Sequence, residues 1–182
     1  MKHSKTWIFL LVIGAGLVIS GKGIYLQAKA ELAQYLLQNA WQDTLQGGIQ
    51  VKPWPWADTW PVARLQVPGR NIDLIVLSGA SGRTLAFAPG HLEGTASPGT
   101  RGVSLVSAHR DTHFRFLGEL KKQEKIRVQK PDGKQVTYEI ATSGIVTARN
   151  ARFPVQEGQD SLILLTCYPF QSLHAGSELR YF

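Results

Sequence analysis

Apolar and polar positions follow three patterns along the chain. Trp7–Ser20 is an unbroken run of apolar and small residues (WIFLLVIGAGLVIS), extended by Gly21–Leu26 with only Lys22 intruding. A lysine there keeps its stem in an apolar layer and its ammonium in water. Lys2 and Lys5 precede the run, which gives the basic-then-apolar layout of a signal peptide or a retained signal anchor. The run is shorter than the ~20 residues of a full membrane span. Ala28-Lys29-Ala30 offers a small-residue cleavage site but stands apart from the apolar run, and a helical pattern continues through it. The expectation is an anchor over 1–30, single-pass in the cytoplasmic (inner) membrane, with the remainder extracytoplasmic. In Glu31–Gln46 the apolar residues Ala33, Leu36, Leu37, Ala40, Trp41 and Leu45 recur at three- and four-residue spacing, which predicts an amphipathic helix. Gly47-Gly48 ends it.

From Val62 the period shortens to that of strands. Strands are predicted at Val62–Val67, Ile72–Leu77, Thr84–Phe87, Val103–Ala108, Lys125–Gln129, Val136–Thr142, Ile145–Ala148, Leu162–Cys167 and Glu178–Tyr181, separated by Pro/Gly/Asp turns of which Pro131-Asp132-Gly133 is a hairpin signal. Phe114–Leu120 is a candidate short helix. Short strands at this density predict a mainly β domain over 62–182 that closes on itself to remove its edges. Between helix and strands lies KPWPWADTWP, where Pro53, Pro55 and Pro61 alternate with Trp54, Trp56 and Trp60. Prolines at that spacing forbid helix and central strand. The segment reads as an extended collar over 31–61 with the helix, its indoles packed on the domain; a membrane-interface belt or a groove wall are the functional alternatives.

Composition narrows the function. The formal charge is +7, but Lys2, Lys5, Lys22 and Lys29 supply four of those charges before the first acid, Glu31. The basic cluster Lys121, Lys122, Lys125, Arg127 and Lys130 is interleaved with Glu119 and Glu124 and alternates with Ile126 and Val128, as a solvated strand face does. No nucleic-acid partner is implied. One cysteine, Cys167, excludes an intramolecular disulfide and a multi-cysteine metal cage. Nine prolines and eighteen glycines disfavour a helical bundle.

A lone cysteine is more often buried and inert than reactive. Cys167, however, ends the apolar strand Leu162–Cys167, His109 ends another, and Arg180 lies in the last. Thiol, imidazole and guanidinium at one rim suit acyl transfer: a thiolate attacks a carbonyl, an imidazolium protonates the leaving amine, a guanidinium steadies the oxyanion. Around His109 the string SAHRDTHFRFLGEL admits other readings. His109 and His113 stand four apart as in a zincin helix, but Arg110 occupies the place of the glutamate base and no third ligand follows. His-Arg-Asp occurs in kinase catalytic loops, yet the nucleotide loop and D-F-G segment are missing. Asp111 is either an orienting group or a turn cap. His91 and His174 sit in Gly/Ser-containing loops and carry no usable signal.

His109 with RDTHFRFL behind it, Leu-Thr-Cys167, and Arg180 thirteen residues beyond the cysteine together resemble a sortase. With KPWPWADTWPVARL, LIVLSGASGRTLAFAPGHL, LLTCYPF and the terminal LRYF, the chain is similar over nearly its whole length to the proteobacterial class GN, close to class D. The resemblance implies an eight-stranded sortase β-barrel and a cysteine transpeptidase. Cys167 would be the nucleophile, His109 the general acid and Arg180 the substrate-binding and oxyanion arginine; Thr166, Arg110 and His113 would line the substrate. The partner would be a secreted or surface protein with an LPXTG-like C-terminal sorting signal, cleaved after threonine and passed to an amine acceptor, with no metal or organic cofactor. The family pattern Thr-Leu-x-Thr-Cys reads Ile163-Leu164-Leu165-Thr166-Cys167, so its first threonine is replaced, and Phe182 directly follows Tyr181. An L,D-transpeptidase is disfavoured by the absence of Ser-His-Gly-Cys, and a redox sensor by the absence of a resolving cysteine. A tethered binding domain with a degenerate site is the reading from another class.

Overall fold

The computed structural model describes residues 2–155, 158–172 and 176–182, with side chains from residue 13 onward except 15 and 18. His174 lies outside the described residues. The chain forms two compact units, Met1–Leu36 and Leu37–Phe182. Helix α1, Lys2–Leu45, runs from the first into the second. Among the described residues no helix is long and apolar enough to cross a membrane. The helix stops where the glycines were expected to stop it, with Gly47 at φ +98, a conformation that disfavours any side chain.

Within the second unit, Leu37 and Trp41 are fully buried against Ile75, Leu77 and Ala88. The collar follows. Trp54 packs edge-on against Phe87 with ring centroids 4.9 Å apart, and the Trp60 carbonyl accepts from the Ser78 N–H. Trp56 departs from the expected packing and is 82% exposed.

Among the described residues nine strands form one sheet: β1 Pro61–Val67, β2 Ile72–Ser78, β3 Gly90–His91, β4 Val103–Ser107, β5 Lys125–Gln129, β6 Gln135–Glu139, β7 Ile145–Thr147, β8 Ser161–Cys167 and β9 Leu179–Tyr181. Their order is β6-β5-β1-β2-β3-β4-β8-β9-β7. The mainly β expectation holds, but the eight-stranded closed barrel is corrected to a curled sheet, open between β6 and β7. β6 pairs with β5 alone and β7 with β9 alone among the described residues. At that seam lies a cavity of about 360 Å³, walled by residues of β6, by Phe153–Val155 and by Tyr181 and Phe182.

A second correction concerns Thr84–Phe87, which is no strand. Gly82–Leu85 is a one-turn helix, α2, capped by the Ser81 side chain, which accepts the Thr84 N–H at 3.2 Å. The cap satisfies a donor that a short apolar stretch does not advertise. The strand the sequence hid is β3, whose two residues are too few to show a period. It pairs parallel with β2 and antiparallel with β4. Any side chain at Gly90 would collide with the Gly79 carbonyl, so glycine is required there.

The core fills the inside of the curl with Ala63, Leu65, Val67, Val76, Val106, Ala108, Phe114, Phe116, Leu117, Ile126, Val128 and Leu164. Ile126 and Val128 point in while Lys125 and Arg127 point out. The β5–β6 hairpin turns at Gly133, φ +78, with Asp132 accepting the Lys134 N–H at 3.0 Å. The candidate helix at Phe114–Leu120 is a 3-10 segment, Arg115–Glu119.

Candidate active site

β8 lies between β4 and β9, so its last residue has a neighbour on each side. Val103–Ser107 runs parallel to Ser161–Leu165 in unbroken register. The ladder continues past the strand: the Ala108 N–H donates to the Leu165 carbonyl at 3.1 Å, and the Thr166 hydroxyl to the Ala108 carbonyl at 2.7 Å. Continued by one more residue, this register would bring His109 level with Cys167. On the other side Cys167 pairs directly with Arg180, and Thr166 with Tyr181. The sheet therefore brings the three predicted residues to one rim.

Strand alternation decides which side chains face that rim. Ala108 and Thr166 are 3% and 1% exposed and face the core. Cys167, alternating with Thr166 on β8, consequently turns to the other face and is partly exposed, and His109, just past the end of β4, is exposed. Cys167 is thus not the fully buried, inert thiol that a lone cysteine usually is.

Arg180 folds back along its own chain. Its Nη1 donates to the Ser177 carbonyl and, at 2.9 Å, to the Leu179 carbonyl. Among the described residues no carboxylate lies within ion-pairing distance of it. A guanidinium has five N–H donors, so Nη2 and Nε are left to meet an incoming carbonyl or oxyanion.

The other predicted residues surround the rim in different ways. Thr166 belongs to the core, its hydroxyl tying β8 to β4. Arg110 is 6% exposed and donates from Nη2 to the Ser172 carbonyl at 2.9 Å, fastening the segment after β4 to the segment after β8. Its Nε stands 3.5 Å from Asp111. His113 is partly buried; burial, and then the charge of His109, holds its pKa below the usual imidazole value. Those causes place it close to His109 and favour its neutral form. His91 is a buried structural residue, its Nε2 2.9 Å from the Ala96 carbonyl and 3.0 Å from the Thr95 hydroxyl. Among the described residues no three His, Cys, Asp or Glu side chains gather as metal ligands.

Two parts of the site carried little signal in the sequence. Tyr168, Phe170 and Tyr181 form an aromatic buttress beside Cys167: Phe170 meets Tyr181 edge-on at 5.2 Å, and Tyr168 stacks on Tyr181 at 6.4 Å. A Cβ on Gly118 would lie 3.0 Å from Phe170, so the segment after β4 packs closely on this buttress. The aromatics of TCYPF were visible, but their joint packing was not. Ser177 is the other part, a serine beside a glycine with no periodic context.

A partly exposed thiol flanked by an imidazole and a guanidinium is equipped for acyl transfer through a thioester. The chain is similar to known proteins in sequence and in fold. A family model described as the sortase domain matches residues 65–181. Sortase D of Bacillus subtilis (strain 168) is 36% identical over 107 residues, covering 58% of this chain and 54% of that protein. The chain therefore spans about half the length of that curated relative. The crystal structure of sortase C-1 from Actinomyces oris superposes with a TM-score of 0.55 at 29% identity, over 66% of this chain and 70% of that one. A lid mutant of sortase A from Corynebacterium diphtheriae shares the fold, with a TM-score of 0.61 at 20% identity over 83% and 90% of the two chains. With a match through most of the domain and a rim that joins cysteine, histidine and arginine, this chain belongs to the sortase family.

Proposed function

We propose that the protein is a membrane-anchored cysteine transpeptidase of the class GN type, acting on proteins that carry an LPXTG-like C-terminal sorting signal. The observation that carries this reading is the register that pairs Arg180 with a partly exposed Cys167 and runs β4, with His109 just beyond its end, along the other side of β8. In the reaction the Cys167 thiolate adds to the carbonyl of the signal's threonine. The tetrahedral oxyanion is met by the Arg180 guanidinium, whose charge-assisted hydrogen bonds strengthen as negative charge develops. Protonated His109 gives its proton to the leaving amine, the C–N bond breaks, and a thioester on Cys167 remains. An incoming amine then displaces the thiol, with neutral His109 accepting its proton. Nothing in this sequence of steps calls for a metal or organic cofactor.

Anchoring is supported by Lys2 and Lys5 ahead of the Trp7–Ser20 run, which α1 carries as helix. Such an anchor keeps the rim on the extracytoplasmic side, where sorting signals emerge.

Intact-mass analysis of the full chain mixed with LPXTG-like peptides tests the reading. An acyl adduct is expected on the wild type, removed by hydroxylamine and absent from Cys167→Ala. A folded protein whose thiol alkylates readily yet takes no acyl group from any peptide would contradict it and favour the binding domain.

A further inference from the structure

β9 is three residues long, pairs with β7 along its whole length and with β8 at Thr166↔Tyr181 and Cys167↔Arg180, and begins at the exposed Leu179. This pairing holds the backbone of the strand but not the long, rotamer-rich side chain of its arginine. The hydrogen bonds around it converge instead on Ser177. The Ser177 hydroxyl donates to the carbonyl of Tyr168, the residue after the nucleophile. The same oxygen accepts the Leu179 N–H at 3.1 Å, and the Ser177 carbonyl accepts from Arg180 Nη1. The last rung of the ladder, Tyr168 N–H to the Leu179 carbonyl at 3.0 Å, closes the same ring of groups.

We infer that Ser177 is a positioning residue for Arg180, clamping the chain on both sides of the nucleophile so that the guanidinium points across Cys167 in one rotamer. This rests on the transpeptidase reading of Arg180 given above. The hydroxyl continues the β8–β9 ladder where it runs out, because Pro169 has no N–H with which to extend it. Serine suits the place chemically: one small side chain must donate and accept at once. Alanine does neither, and threonine does both. Ser177 is partly exposed, so in Ser177→Ala the two released backbone groups reach water and the fold survives. Gly176, at φ +83, turns the chain into the clamp.

The test follows acylation of Cys167 in the full chain by an LPXTG-like peptide over a range of concentrations. Ser177→Ala is expected to lower the rate at saturating peptide by about 10- to 100-fold, the size of effect that small misplacements of a catalytic group produce, with KM little changed. Ser177→Thr restores most of the rate. Alkylation of Cys167 by iodoacetamide, which does not use the arginine, stays at the wild-type rate. The double variant Ser177→Ala with Arg180→Ala is no slower than Arg180→Ala alone, since the serine acts through the arginine. Acylation by Ser177→Ala at the wild-type rate overturns the inference. So does an equal loss in alkylation, failure of threonine to rescue, or additivity in the double variant. A wild type that never acylates overturns the transpeptidase reading instead. The clamp is then read from the Arg180 guanidinium N–H resonances, which should exchange slowly in the wild type and become averaged in Ser177→Ala; identical spectra would overturn the clamp on their own.

Discussion

The two flanks of Cys167 are built by different means. On the β4 flank, Val103–Ser107 lies in continuous parallel register with Ser161–Leu165, and Val106, Ala108, Leu164 and Thr166 are buried between sheet and core. The position of His109 is inherited from that slab. Moving it means shearing strands whose side chains interdigitate in a close-packed interior. On the β9 flank the contact with β8 consists of two paired positions and a serine hydroxyl, and the far edge of β9 pairs with the three-residue β7. The difference teaches where the site is robust. The Cys167–His109 flank is fixed by long-range packing, whereas the guanidinium of Arg180 depends on a few local hydrogen bonds and is the part that can be disturbed without unfolding the domain.

Removing the acid tests the firm flank with the largest effect. His109→Ala should reduce acylation of Cys167 by about 10²- to 10⁴-fold, the usual contribution of general acid–base catalysis. Thermal unfolding should not change, because the side chain is exposed. A variant that keeps its rate would assign the proton transfer elsewhere, with the neighbouring His113 the nearest candidate.

Loosening the slab has a smaller effect. Thr166→Val keeps the shape and deletes the buried hydroxyl that donates to the Ala108 carbonyl. Leaving that carbonyl without its partner costs about 1–3 kcal/mol, readable as a shift in the urea midpoint. Acylation should fall with it, since the same bond holds His109 level with the thiol. A loss of stability with no loss of rate would show that the register tolerates slack.

The smallest effect lies in an ion pair that touches none of Cys167, His109 and Arg180 and should leave the rate untouched. Arg70 forks onto Glu124 at 2.7 and 2.8 Å and also reaches Glu119. The Arg70 hydrogen bond is the main cause that holds the Glu124 carboxyl at about 2, against an ordinary value of 4.5. Between those values the folded chain binds fewer protons than the unfolded one. The stability this pair adds is therefore complete above about pH 4.5 and is lost as pH falls toward 2. Glu124→Gln should flatten that part of the acid-denaturation curve and leave acylation at neutral pH as it was; an unchanged curve would place the acid sensitivity in other carboxylates.

The same contrast explains what could be read from the sequence. β1, β2, β4, β5 and β8 are half-buried strands with five to seven residues, long enough for their apolar pattern to mark them within a residue or so of their ends. Cys167, His109 and Arg180 stand out in the sequence because they end or follow apolar strands, or lie in the last one, and because the motif around them is specific. What escaped depends on tertiary pairing. β3 is two residues held from both sides. α2 is set by a single serine cap, and Thr84–Phe87 looked like strand because Leu85 and Phe87 alternate with smaller residues. The open seam between β6 and β7 follows from partners that periodicity cannot name. Arg110 looked like a substrate residue from its place in the motif, yet its fastening to Ser172 is a contact across 62 residues. Ser177 acts through backbone groups of Tyr168 and Leu179, which no pattern of side chains records.

If the β4–β8 register continues past Ala108, His109 stands beside Cys167 on the face away from the core, and a cross-link measures that proximity. The chain has one cysteine, so in His109→Cys any intramolecular disulfide must join positions 109 and 167. Neighbouring positions on paired strands fall inside the Cα window of about 4.4–6.8 Å that a disulfide accepts. Mild oxidation of His109→Cys should consume both thiols within the monomer, while Arg110→Cys, whose side chain turns to the buried side, stays reduced. Two free thiols in His109→Cys, or closure in Arg110→Cys instead, would contradict the register and the site built on it.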